Sequence, residues 1–194
     1  MPARRRASAR VTTRAGDRGN TSLFGKGRVR KTDPRVEALG DLDEAQAVLG
    51  IARAAAPRPL AKTLLDLQRG LYLAMAEVAT PRPDLARLPE RLDGAAVADL
   101  EKHGEELKRK RPIESRFVVP GEDRLSAVLD HARTVVRRAE RRVVECVDEG
   151  YFSGEDLLPW LNRLSDLLYV LARWVEQTAR PARGSAGGAR RARR

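Results

Sequence analysis

Apolar residues recur at every third or fourth position in five long stretches of this chain, and prolines or glycines separate the stretches. This spacing places apolar side chains on one face of an α-helix. The predicted helices run from Pro34 to the prolines at 57 and 59, from about 60 to 79, from about 94 to 110, from about 123 to 148 and from about 155 to 178. No convincing pair of strands is present. The sequence therefore predicts an all-α fold, a five-helix antiparallel bundle.

The net charge of +11 invites a nucleic-acid function, but its distribution argues against one. Residues 1–10 carry four arginines and residues 181–194 carry five, with no acidic residue in either segment, whereas residues 11–180 hold 29 basic and 27 acidic side chains. Small residues and arginines bury little apolar surface, so both tails are predicted to be disordered. Specific nucleic-acid binding stays a minor alternative. It predicts an affinity that collapses with salt and with deletion of both tails.

A single domain spanning residues 11–180 is expected for a chain of 194 residues. Cys146 is the only cysteine, which excludes an intrachain disulfide and a cysteine cluster for a metal. The apolar runs are too short to span a membrane, and the basic N-terminus lacks the apolar segment of a secretory signal. We therefore expect a cytoplasmic location and no membrane partner.

The segment from Thr13 to Gly25 combines three glycines, an aspartate, two arginines and three hydroxyl side chains. Glycines allow backbone N–H groups to turn toward an anion, and arginines and hydroxyls add further donors. The segment predicts a phosphate-binding loop, although the chain contains no Walker A motif. The alternative is a glycine-rich surface loop with no ligand.

The fourth predicted helix carries a second chemical signal. Arg133, Arg137 and Glu140 stand at positions i, i+4 and i+7, so they share one helix face. Crowded arginines repel one another, and they are tolerated where they face water or an anion. A polar stripe of Asn162, Asp166 and Arg173 is predicted on the fifth helix. Each set also fits an ordinary solvated helix face.

Three motifs in this order resemble those of the ATP:cob(I)alamin adenosyltransferases of the propanediol-utilisation type. The resemblance covers about Val11 to Val175. The motifs are Thr13 to Thr21 continued by Lys31 to Glu44, then Phe117 to Gly121 followed by Ala132 to Arg142, and last Leu161 to Leu168 followed by Ala172-Arg173. Their length and order make the resemblance specific.

The resemblance implies a trimeric five-helix bundle with active sites between subunits. The reaction it implies is transfer of the 5′-deoxyadenosyl group of ATP to the cobalt of reduced cobalamin, with release of triphosphate. Cobalt(I) is itself the nucleophile, so the protein supplies positioning and charge neutralisation rather than a catalytic serine, cysteine or histidine. ATP and cobalamin are then substrates, Mg²⁺ bridges the phosphates without a metal site on the protein, and a reductase is an implied partner.

The resemblance also implies roles for individual residues. The loop 11–32 wraps the triphosphate, Arg137 and Asn162 reach ATP, and Glu140 supports the bound ATP. Arg133 pairs with Asp43 across the subunit interface. Phe117 occupies the lower face of the corrin and helps to displace the axial ligand, because four-coordinate cobalt(II) is easier to reduce. The ATP-binding residues implied in this way are Thr13, Arg14, Gly16, Asp17, Arg18, Gly19, Thr21, Lys31, Arg137, Glu140 and Asn162.

Most departures from the family pattern fall on the cobalamin side. Glu122 stands where the family has a glycine, and Asp130 stands where it has a histidine. His131 comes one residue late, which rotates its side chain by about 100° around the helix, so it is predicted to lie on the surface. The family's C-terminal segment is replaced by the Arg/Gly tail. We expect the two carboxylates to change how the corrin sits.

On the ATP side, Thr12 and Ala15 depart from the family pattern. Besides the enzyme, two readings stay open: a family member with altered or lost corrin use, and a non-catalytic ATP-binding sensor or cobalamin carrier on the same fold. A sensor or carrier would bind ATP without turnover, whereas the enzyme forms a Co–C bond.

Overall fold

The computed structural model describes residues 12–25, 27–114 and 117–179, which form a helical bundle. Its α-helices are α1 (Pro34–Ala55), α2 (Arg58–Ala79), α3 (Gly94–Lys110), α4 (Arg124–Asp148) and α5 (Leu157–Ala179), with a 3₁₀ helix at Arg82–Arg87. The all-α, five-helix prediction is confirmed. The predicted basic tails, 1–10 and 181–194, lie outside the described residues.

Two details of the sequence prediction are wrong. A two-residue strand β1 (Asn20–Thr21) pairs antiparallel with β2 (Val29–Arg30), although no strand pair was predicted. Strands this short show no alternating pattern in a sequence. Pro59 does not end a helix but lies in the first turn of α2, where a missing N–H group costs no hydrogen bond.

Aspartate side chains begin three of the helices. Asp33 accepts a hydrogen bond from the backbone N–H of Arg35 at 3.0 Å, with Pro34 as the first helical residue. Asp93 caps α3 and Asp123 caps α4 in the same way. Each cap satisfies N–H groups that the helix cannot pair internally.

Helix α4 lies at the centre of the bundle. It packs against α1 on one side and α5 on the other, while α2 packs against α1 and α3 against α5. Its contacts are made by fully buried apolar side chains such as Leu129, Val136 and Val143. Burying one such side chain contributes about 1.5–3 kcal/mol, so the core fixes the orientation of α4 and of its polar face.

Helices α2 and α5 approach closely at Gly70. A Cβ atom at this position would lie 2.1 Å from the Trp160 ring, so a larger residue would displace that ring from its place against α2. Within the described ranges, no helix is both long and apolar enough to cross a bilayer.

Candidate functional site

The glycine-rich N-terminal segment is an ordered loop. It turns at Gly16–Gly19, where the Gly19 N–H donates to the Gly16 carbonyl at 3.1 Å. The Lys31 N–H donates to the Gly19 carbonyl at 2.9 Å and fastens the loop beside the start of α1. Arg14, with φ of 60°, and Gly19, with φ of 77°, adopt the left-handed conformation that bends the chain.

The Arg28 guanidinium holds the loop from within. Its Nη2 donates to the Ala15 carbonyl at 2.5 Å and to the Asn20 carbonyl at 2.9 Å. The two carbonyls lie on opposite sides of the Gly16–Gly19 turn, so one side chain fixes the width of the loop. Sequence reasoning did not single out Arg28, because a clamp between two backbone carbonyls has no motif of its own.

Two further cations pack against the glycines of this loop. A Cβ atom on Gly16 would meet Cε and Nζ of Lys31 at 3.3 Å, and one on Gly19 would lie 3.8 Å from Nη1 of Arg30. Glycine at these positions therefore allows the cationic groups to approach the backbone. Arg14, Arg18, Arg28, Arg30 and Lys31 are all exposed, as is Asp17. The loop thus presents a concentration of positive charge suited to a polyphosphate.

A second polar surface lies where α4 meets α5. The Asn162 Nδ2 donates to Glu140 at 3.1 Å, and Arg163 Nη1 donates to the Asn162 Oδ1 at 2.6 Å. Both ends of the Asn162 amide are therefore held. Arg163 in turn forms an ion pair with Glu101 on α3 at 2.7 Å.

Arg133 and Arg137 line one groove of about 420 Å³ on this surface, together with Ser165, Asp166 and Tyr169. Their predicted shared face is thus observed. Arg137 is exposed, and its guanidinium forms no ion pair with any described residue. It is available to bind an anion.

The loop and the groove are not bonded to each other in the part of the chain that the structure describes. Among the described residues, no hydrogen bond or ion pair joins residues 12–25 to Arg137, Glu140 or Asn162. Asp43 is exposed on α1 and forms no ion pair with any described residue, while Arg133 contacts Asp130. The structure therefore brings together Glu140 with Asn162, and Arg133 with Arg137, but not Asp43 with Arg133.

A third feature is the segment that follows α3. Phe117 is 96% exposed at the rim of a cavity of about 240 Å³, which Val118, Val119, Glu122 and Arg173 also line. Arg173 lies beneath this segment and is itself 5% exposed. An exposed aromatic ring above a small cavity is suited to packing against a flat ligand.

A buried charge network lies below the cavity. Arg173 Nη2 donates to Asp130 at 2.6 Å and to Glu176 at 2.8 Å, and the Ser126 hydroxyl donates to Glu176 at 3.1 Å. Burial disfavours the charged guanidinium, but the hydrogen bonds and charges of the two carboxylates outweigh it and raise the pKa of Arg173. Arg173 therefore stays charged in the interior.

The network corrects two expectations about the corrin side. Asp130 was expected to place a carboxylate where it changes how the corrin sits, but it is 3% exposed and paired with Arg173. Arg173 was predicted on a polar stripe of the fifth helix, but its side chain is buried and paired with Asp130 of α4 and Glu176 of α5. Glu122 is exposed at the cavity, and His131 is exposed on α4 as predicted.

The chain is similar to known proteins over most of its length. Residues 11–175 match the family model described as cobalamin adenosyltransferase. The corrinoid adenosyltransferase PduO of Citrobacter freundii is 40% identical over 170 residues, which cover 87% of this chain and 50% of that protein. A corrinoid adenosyltransferase of Mycobacterium leprae is 39% identical over 172 residues, covering 84% of this chain and 90% of that protein. The chain thus spans about half the length of the PduO relatives it matches.

Solved structures show the same fold. One is a phenylalanine-to-histidine variant of the PduO-type ATP:corrinoid adenosyltransferase from Lactobacillus reuteri, complexed with cobalamin and ATP. It has a TM-score of 0.80 and 30% sequence identity, and the match covers 87% of this chain and 91% of that one. An arginine-to-lysine variant from the same organism, complexed with ATP, has a TM-score of 0.78.

Proposed function

The chain belongs to the cobalamin adenosyltransferase family, and we propose that it transfers the 5′-deoxyadenosyl group of ATP to the cobalt of a reduced corrinoid. The observation that carries this proposal is the ordered cationic loop, in which Lys31 packs on Gly16 and Arg28 clamps two carbonyls. A loop organised in this way needs little rearrangement to receive a triphosphate.

The ATP site is composed of the loop and the groove. Thr13, Arg14, Gly16, Asp17, Arg18, Gly19, Thr21 and Lys31 surround the triphosphate, as the family resemblance implies. Arg137 supplies an unpaired guanidinium, and Asn162 reaches the nucleotide with an amide that Glu140 and Arg163 orient. The catalytic unit is residues 11–180, with residues 11–32 as the ATP loop.

The chemistry is a substitution at the 5′ carbon of ATP. The cobalt(I) electron pair forms the Co–C bond while the bond from C5′ to the triphosphate oxygen breaks, and that oxygen keeps the bonding electrons. Negative charge thus grows on the triphosphate, and the loop cations stabilise it. As the family resemblance implies, Mg²⁺ would bridge the phosphates of ATP.

Sites shared between copies of the chain would explain why, among the described residues, no hydrogen bond or ion pair joins the loop to the groove. We place the loop of one subunit opposite the α4–α5 groove of the next in a homotrimer. Asp43, exposed on α1, pairs there with Arg133 of the neighbouring subunit. Phe117 packs under the corrin, and a reductase supplies the electrons that give cobalt(I). The cytoplasm, where ATP is made and used, is the proposed location.

The test combines light scattering with visible spectroscopy. The protein is expected to be a trimer, and chemically reduced cobalamin with MgATP is expected to give the spectrum of adenosylcobalamin and one triphosphate per Co–C bond. Saturable ATP binding without a Co–C bond would instead favour a sensor or carrier. A truncated chain of residues 11–180 is expected to keep full activity, which would exclude a catalytic role for the basic tails.

A further inference from the structure

Asp130 bridges two arginines that lie on different helices. Its carboxylate is 4% exposed, and Oδ2 accepts from Arg173 Nη2 at 2.6 Å. Its other oxygen, Oδ1, forms an ion pair with Arg133 Nε at 3.5 Å. Among the described residues, Asp130 is therefore the carboxylate that joins the buried network to Arg133 in the groove.

The contact with Arg133 uses only one of the donors of that guanidinium. Arg133 is 28% exposed, and Asp130 is its one acidic partner among the residues described. The ion pair occupies Nε and leaves both Nη groups for a second carboxylate. An arginine held in this manner presents a planar two-donor fork, the geometry that matches a carboxylate.

Asp130 is suited to hold Arg133 because it is itself immobile. Arg173 contacts Asp130 and Glu176, and its guanidinium lies 5.1 Å from the centre of the Tyr169 ring. These contacts fix the carboxylate in the core between α4 and α5. Through Asp130, the buried contacts thus restrict the position of the Arg133 side chain at the groove surface.

We propose that Asp130 is a positioning residue that holds the Arg133 guanidinium ready to pair with the Asp43 carboxylate of a neighbouring subunit. Holding the fork in advance reduces the conformational entropy lost when the subunits meet. The inference rests on the proposed trimer and on the Asp43–Arg133 pair, and it gives this chain's aspartate a function at a distance from the corrin.

The measurement is the protein concentration at which the trimer dissociates, which is independent of catalysis. Asp130→Asn and Glu176→Gln are each made in the full chain, alone and combined with Arg133→Ala. Both single changes remove a buried carboxylate charge beside Arg173, but only Asp130 also contacts Arg133. Glu176→Gln is therefore the matched control for general damage to the network.

We expect Asp130→Asn to raise the dissociation concentration about tenfold, as befits one hydrogen bond to a charged group. In the Arg133→Ala background it is expected to have no further effect, while any effect of Glu176→Gln multiplies with that of Arg133→Ala. An Asp130→Asn effect that also multiplies would show a merely structural role and overturn the proposal. No effect of Arg133→Ala would overturn it as well.

Arg133→Lys provides a second test that leaves the buried network intact, in case Asp130→Asn does not fold. Lysine keeps the charge but lacks the Nε–H and the fork, so we expect it to weaken the trimer as much as Arg133→Ala does. A trimer of wild-type stability in Arg133→Lys would overturn the proposal. If the wild type forms no Co–C bond while these trimer effects hold, the proposed function fails and the role of Asp130 stands.

Discussion

The N-terminal loop and the network beneath Phe117 treat charge in opposite ways. Loop cations such as Arg28 and Lys31 are exposed and contact backbone atoms of their own loop. Arg173 is buried and contacts two carboxylates from α4 and α5. The first arrangement leaves positive charge available to a ligand, whereas the second neutralises it inside the protein and stabilises the fold. We therefore expect exposed arginines of this chain to contribute to ligand binding and buried arginines to contribute to stability.

Arg173→Met is the change expected to have the largest effect, and it acts on stability. It leaves Asp130 and Glu176 buried without a cation, and such a loss costs about 3–5 kcal/mol in the free energy of unfolding. Urea denaturation at pH 7 measures it.

The control is the triple variant Arg173→Met, Asp130→Asn and Glu176→Gln. With the buried charges removed together, most of the lost stability is expected to return. If the free energy of unfolding of Arg173→Met lies within about 1 kcal/mol of the wild-type value, the buried ion pairs do not stabilise the fold as proposed. The claim that the buried arginine stabilises the fold, in contrast to the loop cations, would then be wrong.

Arg137→Ala is expected to give the opposite result, a loss of function without a loss of stability. A guanidinium–phosphate contact is charge-assisted, and its loss typically costs about 2–4 kcal/mol in binding. Calorimetric titration with MgATP is the measurement. The free energy of unfolding should change by less than about 0.5 kcal/mol because the side chain is exposed.

Arg141→Ala is the matched control for this prediction. Arg141 is exposed one turn further along α4 and donates to the Arg137 backbone carbonyl at 2.9 Å, but it does not line the groove. Equal losses of ATP affinity in both variants would indicate a general charge effect. Wild-type ATP affinity in Arg137→Ala would remove the groove from the ATP site.

Sequence patterns predicted the helices and their exposed arginine face better than they predicted the buried charge network. The apolar spacing gave all five helices, and the shared face of Arg133 and Arg137 follows from helix geometry alone. The burial of Arg173 could not be predicted in the same way, because it depends on how α4 packs against α5 and brings Asp130 to it. The i, i+3 spacing of Arg173 and Glu176 was the one local signal of pairing.

Arg28→Ala tests whether the loop is held before ATP arrives. The two hydrogen bonds to the Ala15 and Asn20 carbonyls are exposed, and at about 1 kcal/mol each their loss is expected to raise the Kd for ATP by up to about 30-fold. Arg28→Lys separates clamp from charge, because the shorter lysine side chain keeps the charge but does not place its ammonium group where Nη2 of Arg28 lies. A lysine variant with wild-type affinity would show that only the charge matters.

Phe117→Ala is expected to have the smallest effect on stability and to leave ATP binding intact. The ring is 96% exposed, so its removal should change the free energy of unfolding by less than about 0.5 kcal/mol. Its expected effect is on cobalt coordination, because loss of the ring removes the group that fills the lower face of the corrin. With MgATP and cob(II)alamin, the four-coordinate fraction in the visible spectrum should fall relative to wild type.

Val119→Ala, 73% exposed in the same segment, is the control and should keep the wild-type spectrum. Equal spectra for wild type and Phe117→Ala would contradict the lower-face role and leave the exposed ring without a function in the reaction.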